Sequence, residues 1–123
     1  MALHNTTGAW GEELACEKLI TLGYAICERN KRIGHYELDI VAMKDNRIVF
    51  VEVKTRTNPN SDPLEAIDSK KIARMTRAAN AYVIAYDIPH EVQFDIITIN
   101  GTPDNYTLEH IPDAFTAPLT TRW

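Results

Sequence analysis

Apolar and polar positions alternate along the chain with two periods, one of helices and one of strands, separated by turn-forming residues. From Ala9 to Leu22 most residues are helix formers, and Glu12, Ala15, Cys16 and Leu19 fall at i, i+3, i+4 and i+7 on one face. A helix starting near Thr6 or Thr7 and stopped by Gly23 follows, with Glu12 pointing where its apolar neighbours point. Tyr24 to Arg29 reads as a short strand, and the polar stretch Asn30 to His35 as a turn. Tyr36 to Met43 alternates as a second strand, Asp45-Asn46 offers a tight hairpin turn, and Arg47 to Lys54 is a third strand. The run Ile48, Val49, Phe50, Val51 and Val53 makes that strand a central one. Thr55 to Pro63, rich in proline and asparagine, reads as a loop leaving its end.

A second helix is predicted from about Ser69 to Tyr86. Its inward stripe holds Ile72, Met75, Ala79, Tyr82, Val83 and Tyr86, while Lys70, Arg74 and Arg77 line another stripe at i, i+4 and i+7. Val92 to Asn100 alternates as a fourth strand around Phe94, Ile96 and Ile99, Tyr106 to Ile111 offers a fifth, and the tail after Pro112 carries no pattern. The order αβββαββ implies an α/β fold with a mixed central sheet flanked by helices.

At 123 residues, 45% hydrophobic and 24% charged, the chain has the size and composition of one globular domain. No apolar run approaches the ~20 residues of a membrane helix, and the N-terminus lacks the layout of a signal peptide, so a cytoplasmic location is expected. Cys16 and Cys27 are too few for a disulfide framework and are expected to be buried or inert small hydrophobes. The net charge of −4 argues against a nucleic-acid partner until its distribution is considered. Residues 1–28 carry −3, residues 29–77 carry +4, and residues 78–123 carry −5. Positive charge is concentrated in the middle of the chain.

That middle segment also holds the candidate chemistry. Strand alternation sends Glu52 and Lys54 to one face and Val51 and Val53 to the other, and by the same rule Glu37 and Asp39 share a face. If the two strands pair through Asp45-Asn46, Asp39 lies near the position opposite Glu52. Carboxylates placed in apolar strands are costly unless something neutralises them. A hard cation such as Mg²⁺, held by one or two carboxylates plus waters and a substrate phosphate, supplies that neutralisation. With Lys54 positioning a water or stabilising the transition state, the set suits phosphodiester hydrolysis. Glu52-Val53-Lys54 alone would be read as cross-strand ion pairs on a solvated face.

The surrounding motifs change that balance. Gly8-x-x-Gly11-Glu12-x-x-Ala15, Gly23-Tyr24, Arg29-Asn30, Glu37-Leu38-Asp39-Ile40-Val41, Val49-Phe50-Val51-Glu52-Val53-Lys54-x-Arg56, Lys70-Lys71, Ala78-Ala79 and Phe94-Asp95 occur in one colinear order. In these the chain resembles the YraN-like uncharacterised bacterial family, which is similar to the PD-(D/E)XK nucleases, a superfamily that includes restriction endonucleases and archaeal Holliday junction resolvases. The resemblance implies a restriction-endonuclease-like αβββαβ core in a single domain, spanning about residues 8–115 with a tail at 116–123. It also implies metal ligands at Asp39 and Glu52 for Mg²⁺ or Mn²⁺, a catalytic lysine at Lys54, a helix-borne acid at Glu12, and Glu37 as a secondary candidate. Two positions depart from the pattern: Gln93 stands where an arginine is expected, and Glu37-Leu38 precedes Asp39 where the superfamily has its proline.

The functional expectation is a metal-dependent endonuclease or structure-specific nuclease acting on DNA, with branched DNA among its substrates by analogy of fold. A catalytically weak nucleic-acid-binding or scaffold protein that keeps the fold is the second reading, and a protein-interaction domain whose acids form ion pairs is the third. Lys70, Arg74 and Arg77, joined by Arg56, are expected to contact phosphates. Paired symmetric cuts would call for a homodimer. Asp95 is expected on the exposed face of its strand, and Trp10 and Tyr82 in the core. His4, His90 and His110 are expected at the surface, and the place of His35 is left open.

Overall fold

The computed structural model describes residues 6–57 and 68–116, with the side chains of 6–8 excepted. Helix α1 (Thr6–Thr21) is followed by β1 (Ala25–Ile33), β2 (Tyr36–Lys44) and β3 (Arg47–Arg56), then α2 (Ser69–Tyr86), β4 (Glu91–Thr102) and β5 (Asn105–Phe115). The strands form one 5-stranded sheet in the order β1-β2-β3-β4-β5. All neighbours are antiparallel except β3 and β4, which run parallel and are joined by the crossover that contains α2. This is the mixed α/β sheet expected from the sequence, consistent with a restriction-endonuclease-like core.

The β2–β3 turn is the one the sequence announced. Asp45 (φ 50) and Asn46 (φ 66) both occupy the left-handed region, as a two-residue hairpin turn requires, and the turn sets Lys44 opposite Arg47 and Ile40 opposite Val51. The α2 helix is closed at both ends: the Asp68 side chain accepts a hydrogen bond from the Lys71 backbone N–H, and Asp87 adopts a left-handed C-cap.

The sheet is buried on both faces. Ala15, Cys16 and Leu19 of α1 pack with Ile40, Val49 and Ile97 on one side. Met75, Ala78 and Tyr82 of α2 pack with Val41, Phe50 and Phe94 on the other. Gly11 lets α1 approach the sheet, since a Cβ there would overlap the Thr55 hydroxyl of β3. Trp10 is half-buried against the α1-side cluster and tilted against Tyr106, and buried Tyr82 donates to Glu28 Oε2 at 3.0 Å.

Several boundaries and burials differ from expectation. The β1 strand continues through Asn30–Ile33, which pair with β2 as far as Ile33 opposite Tyr36. An edge strand tolerates such polar residues because part of its surface stays wet. Thr55 and Arg56 belong to β3, and the remainder of the expected loop, from residue 58 to Pro63, lies outside the described residues. His4 and residues 117–123 of the expected tail lie outside them too. Tyr86 is exposed at the end of α2, its ring against Tyr82 and beneath the Lys31 ammonium, and Cys27 is exposed on the edge strand β1. Among the described residues no helix is long and apolar enough to cross a membrane.

Asp95 reverses expectation most clearly. It is fully buried, and its carboxylate accepts from Tyr24 Oη (2.7 Å), Gln93 Nε2 (2.9 Å) and the Asp113 backbone N–H (3.0 Å), with His110 Nε2 at 2.8 Å. Burial alone would push the carboxyl up, but bonds from His110, Gln93, Asp113 and Tyr24 together hold it below the usual range. The β4–β5 register shifts between Phe94 and Ile96, and the neighbouring Pro112 has no N–H to offer a ladder. The Asp95 carboxylate takes over the role of the missing rungs. His110 is thereby an inward residue rather than a surface one.

Candidate active site

Alternation along β3 sends Phe50 and Glu52 to the α2 side of the sheet, while Val49 and Val51 join the α1-side core. The β2–β3 ladder runs from Lys44 opposite Arg47 to Ile40 opposite Val51. One step beyond it, the Asp39 side chain reaches across to accept the Val53 backbone N–H through Oδ2 at 2.9 Å. The two strands are thus stitched by a carboxylate where the regular ladder gives out. Leu38 joins the α2-side cluster although Ile40 and Ala42 belong to the α1 side, so β2 also departs from strict alternation here.

Asp39 and Glu52 consequently line one open cleft, together with Glu37 and the basic stripe Lys70, Arg74 and Arg77 of α2. The expected acidic pair and the expected phosphate-contacting stripe, read from separate segments, meet across this cleft. Its far rim is the β1–β2 hairpin, where the His35 and Tyr36 rings lie 4.2 Å apart. His35, whose place was open, borders the cleft.

Negative charge is crowded at its floor. The Asp39 carboxyl is pushed up to about 7, first by burial and then by the charge of Glu52, with smaller contributions from Glu12 and Glu37 and partial relief from the Val53 N–H. Glu12 belongs to α1, on the other side of the sheet, yet stands near enough to act on Asp39. Burial raises its own pKa, against the hydrogen bond from Asn30 Nδ2 (2.7 Å) and the charge of Arg29.

The cation that meets Glu52 is not the expected one. Lys71 Nζ lies 2.8 Å from Glu52 Oε2, with the two side chains only 13% and 19% exposed. Lys54 is half-buried on β3 opposite Thr98 and is not among the residues that line the cleft. Arg56, at the end of β3 opposite Asn100, is not among them either. A signal for Lys71 was present in the sequence: it stands at i, i+4 and i+7 with Met75 and Ala78, at the head of the inward stripe of α2.

Residues 11–99 match the uncharacterised protein family UPF0102. A UPF0102 protein of Bacteroides thetaiotaomicron is 50% identical over 120 residues, covering 97% of this chain and 99% of its own length. The chain belongs to the family UPF0102. A Bacteroides fragilis member is 44% identical over 120 residues, covering 97% of this chain and 99% of the relative, and a Flavobacterium psychrophilum member is 40% identical over 116 residues, covering 94% and 98%. Among solved structures, Pyrococcus furiosus SfsA in complex with Ca²⁺ aligns at 13% identity with a TM-score of 0.37, covering 85% of this chain and 61% of that one.

The carboxylate oxygens of this UPF0102 cleft are donors of the type that a hard divalent cation takes. Two carboxylates, one of them raised by burial and then by the charge of the other, face an open space bordered by basic side chains. Among the described residues no three His, Cys, Asp or Glu side chains are gathered closely enough to hold a metal ion by themselves.

Proposed function

We propose that this protein is a Mg²⁺- or Mn²⁺-dependent endonuclease of the cytoplasm that hydrolyses phosphodiesters in DNA, with branched DNA among its substrates. The observation that carries this reading is the meeting of Asp39 and Glu52 with Lys70, Arg74 and Arg77 across one cleft. Acids that repel one another are held beside a row of cations spaced to follow a phosphate backbone, an arrangement with little purpose for a purely structural surface. The bound metal would supply charge neutralisation at phosphorus and a more acidic water.

The chain's own residues divide the remaining work. Asp39 and Glu52 would hold the ion, with Glu12 and Glu37 adding negative potential from two sides. Lys70, Arg74 and Arg77 would position the backbone, with Arg56 extending that surface from the end of β3. Lys54 would act on the attacking water or the developing charge only if its side chain turns toward the cleft when DNA is bound. A two-fold pair of chains would present two clefts for two cuts.

The second reading, a nucleic-acid-binding protein with little catalysis, draws on the placement of Lys54 outside the cleft lining. Linear, flapped and four-way labelled DNA incubated with Mn²⁺ or with chelator separates the two. Metal-dependent cleavage that favours the branched substrates is the expected result. Salt-dependent binding without cleavage would support the second reading, and the absence of both would remove nucleic acid from the account.

A further inference from the structure

The Lys71–Glu52 pair is placed where the proposed metal would bind. Its N–O separation is 2.8 Å, and neither side chain is more than 19% exposed. Glu52 borders the cleft with Asp39, and Met75 and Ala78, on the same helical stripe as Lys71, border its inner end. The backbone of Lys71 is held in the first turn of α2 by the Asp68 cap, through a hydrogen bond of 2.8 Å. The root of the side chain is therefore fixed, and movement is left to its four-carbon stem and compact ammonium.

We propose that Lys71 is a resident counter-cation for Glu52, displaced when a divalent metal binds and then taken up by the phosphate of the substrate. The inference rests on the nuclease reading of the cleft and adds a coupling to it. A metal entering alone must break the ammonium–carboxylate contact and leave Lys71 without an anionic partner in a partly dry site. Lys71 reaches the cleft only through Glu52, and a phosphate bound alongside Lys70 and Arg74 would offer its ammonium another anion. Metal and DNA then favour one another's binding, and by linkage each raises the affinity of the other by the same factor. Lys71 is then a guard against idle metal binding as well as a phosphate contact. A lysine that merely pins α2 to β3 would show none of this coupling.

The test is a set of Mn²⁺ titrations, read from the EPR signal of the free ion, on the native chain, Lys71→Met, Lys71→Gln and Lys71→Arg. Each is run with and without a short phosphorothioate duplex, on samples whose circular dichroism shows them folded. Without DNA, Lys71→Met and Lys71→Gln should bind Mn²⁺ at least about fivefold more tightly than the native chain. Lys71→Arg, which keeps the charge, should stay near native. DNA should tighten Mn²⁺ binding by the native chain and do so much less for Lys71→Met. Unchanged or weaker Mn²⁺ binding by both neutral variants, or an undiminished effect of DNA, overturns the role given to Lys71 and leaves the nuclease reading standing. Absence of Mn²⁺ binding from every form, with DNA present, overturns the nuclease reading itself.

Discussion

Without divalent metal at pH 8, Asp39→Asn is expected to be more stable than the native chain by on the order of 2–4 kcal/mol, and Mn²⁺ is expected to stabilise only the native chain. The folded protein raises the Asp39 carboxyl from 3.8 to about 7, so folding favours its protonated form. The stability contributed by that proton is complete below the unfolded value and is lost progressively as the pH rises through about 7. Above that point the ionised Asp39 works against the fold, and a neutral amide that can still accept the Val53 N–H does not. The advantage of Asp39→Asn should therefore be largest above pH 7 and close as the pH falls toward 4. With the proposed metal site, Mn²⁺ should reverse the balance at pH 8 by binding the folded native chain alone. The same substitution should lower any metal-dependent cleavage on the order of a thousandfold, since a proposed ligand of the ion would be gone. Thermal melts at pH 5 and pH 8, with and without Mn²⁺, check the prediction. Identical pH profiles and identical Mn²⁺ responses for the two proteins would show that Asp39 is neither strained nor a ligand.

The second large effect lies away from the cleft. Asp95→Asn should cost about 3–5 kcal/mol and lower the melting temperature by on the order of 10–20 °C, yet leave Mn²⁺ binding in place. The native carboxylate is fully buried and takes contacts from Tyr24, Gln93, His110 and the Asp113 backbone. An amide has one acceptor oxygen and presents N–H groups to neighbours that are themselves donors, so buried donors are left without partners. Tyr24→Phe removes a single partner and should cost only about 1 kcal/mol. Because the Asp95 pKa is depressed, the stability it lends is present above the ordinary carboxylate range and lost as the pH falls through its folded value. The native chain should consequently show an acid-labile component that Asp95→Asn lacks. A melting temperature within a few degrees of native for Asp95→Asn would mean that the network is dispensable.

The site acids were legible because they break a strong pattern. Glu37, Asp39 and Glu52 interrupt strands that are otherwise apolar, the period of two fixes their faces, and the Asp45-Asn46 turn fixes which strands meet. The basic stripe of α2 was legible for the analogous reason, at helical period. Asp95 was misread because alternation was assumed for β4, a strand buried on both faces whose neighbours Phe94 and Ile96 pack toward α2 while Ile97 and Ile99 pack toward α1. In such a strand a polar residue has no wet face to occupy and must find partners, which here, Gln93 apart, come from segments 15 to 71 residues away in sequence. Lys71 was passed over because the inward stripe was read as apolar, although a lysine at the head of such a stripe can lay its stem along the core and carry its charge into a cleft. Lys54 shows the opposite limit. Its spacing from Glu52 is right, but spacing cannot say how far a long side chain leans along the strand.

The central claim, that Asp39 and Glu52 form a divalent-metal site, is tested most directly by calorimetric titration of Mn²⁺ into the native chain and Glu52→Gln at pH 8, each with a short four-way DNA present. Saturable binding to the native chain and its loss in Glu52→Gln, with the variant still folded, is the expected result. No binding heat for the native chain, or equal binding by the two proteins, would contradict it.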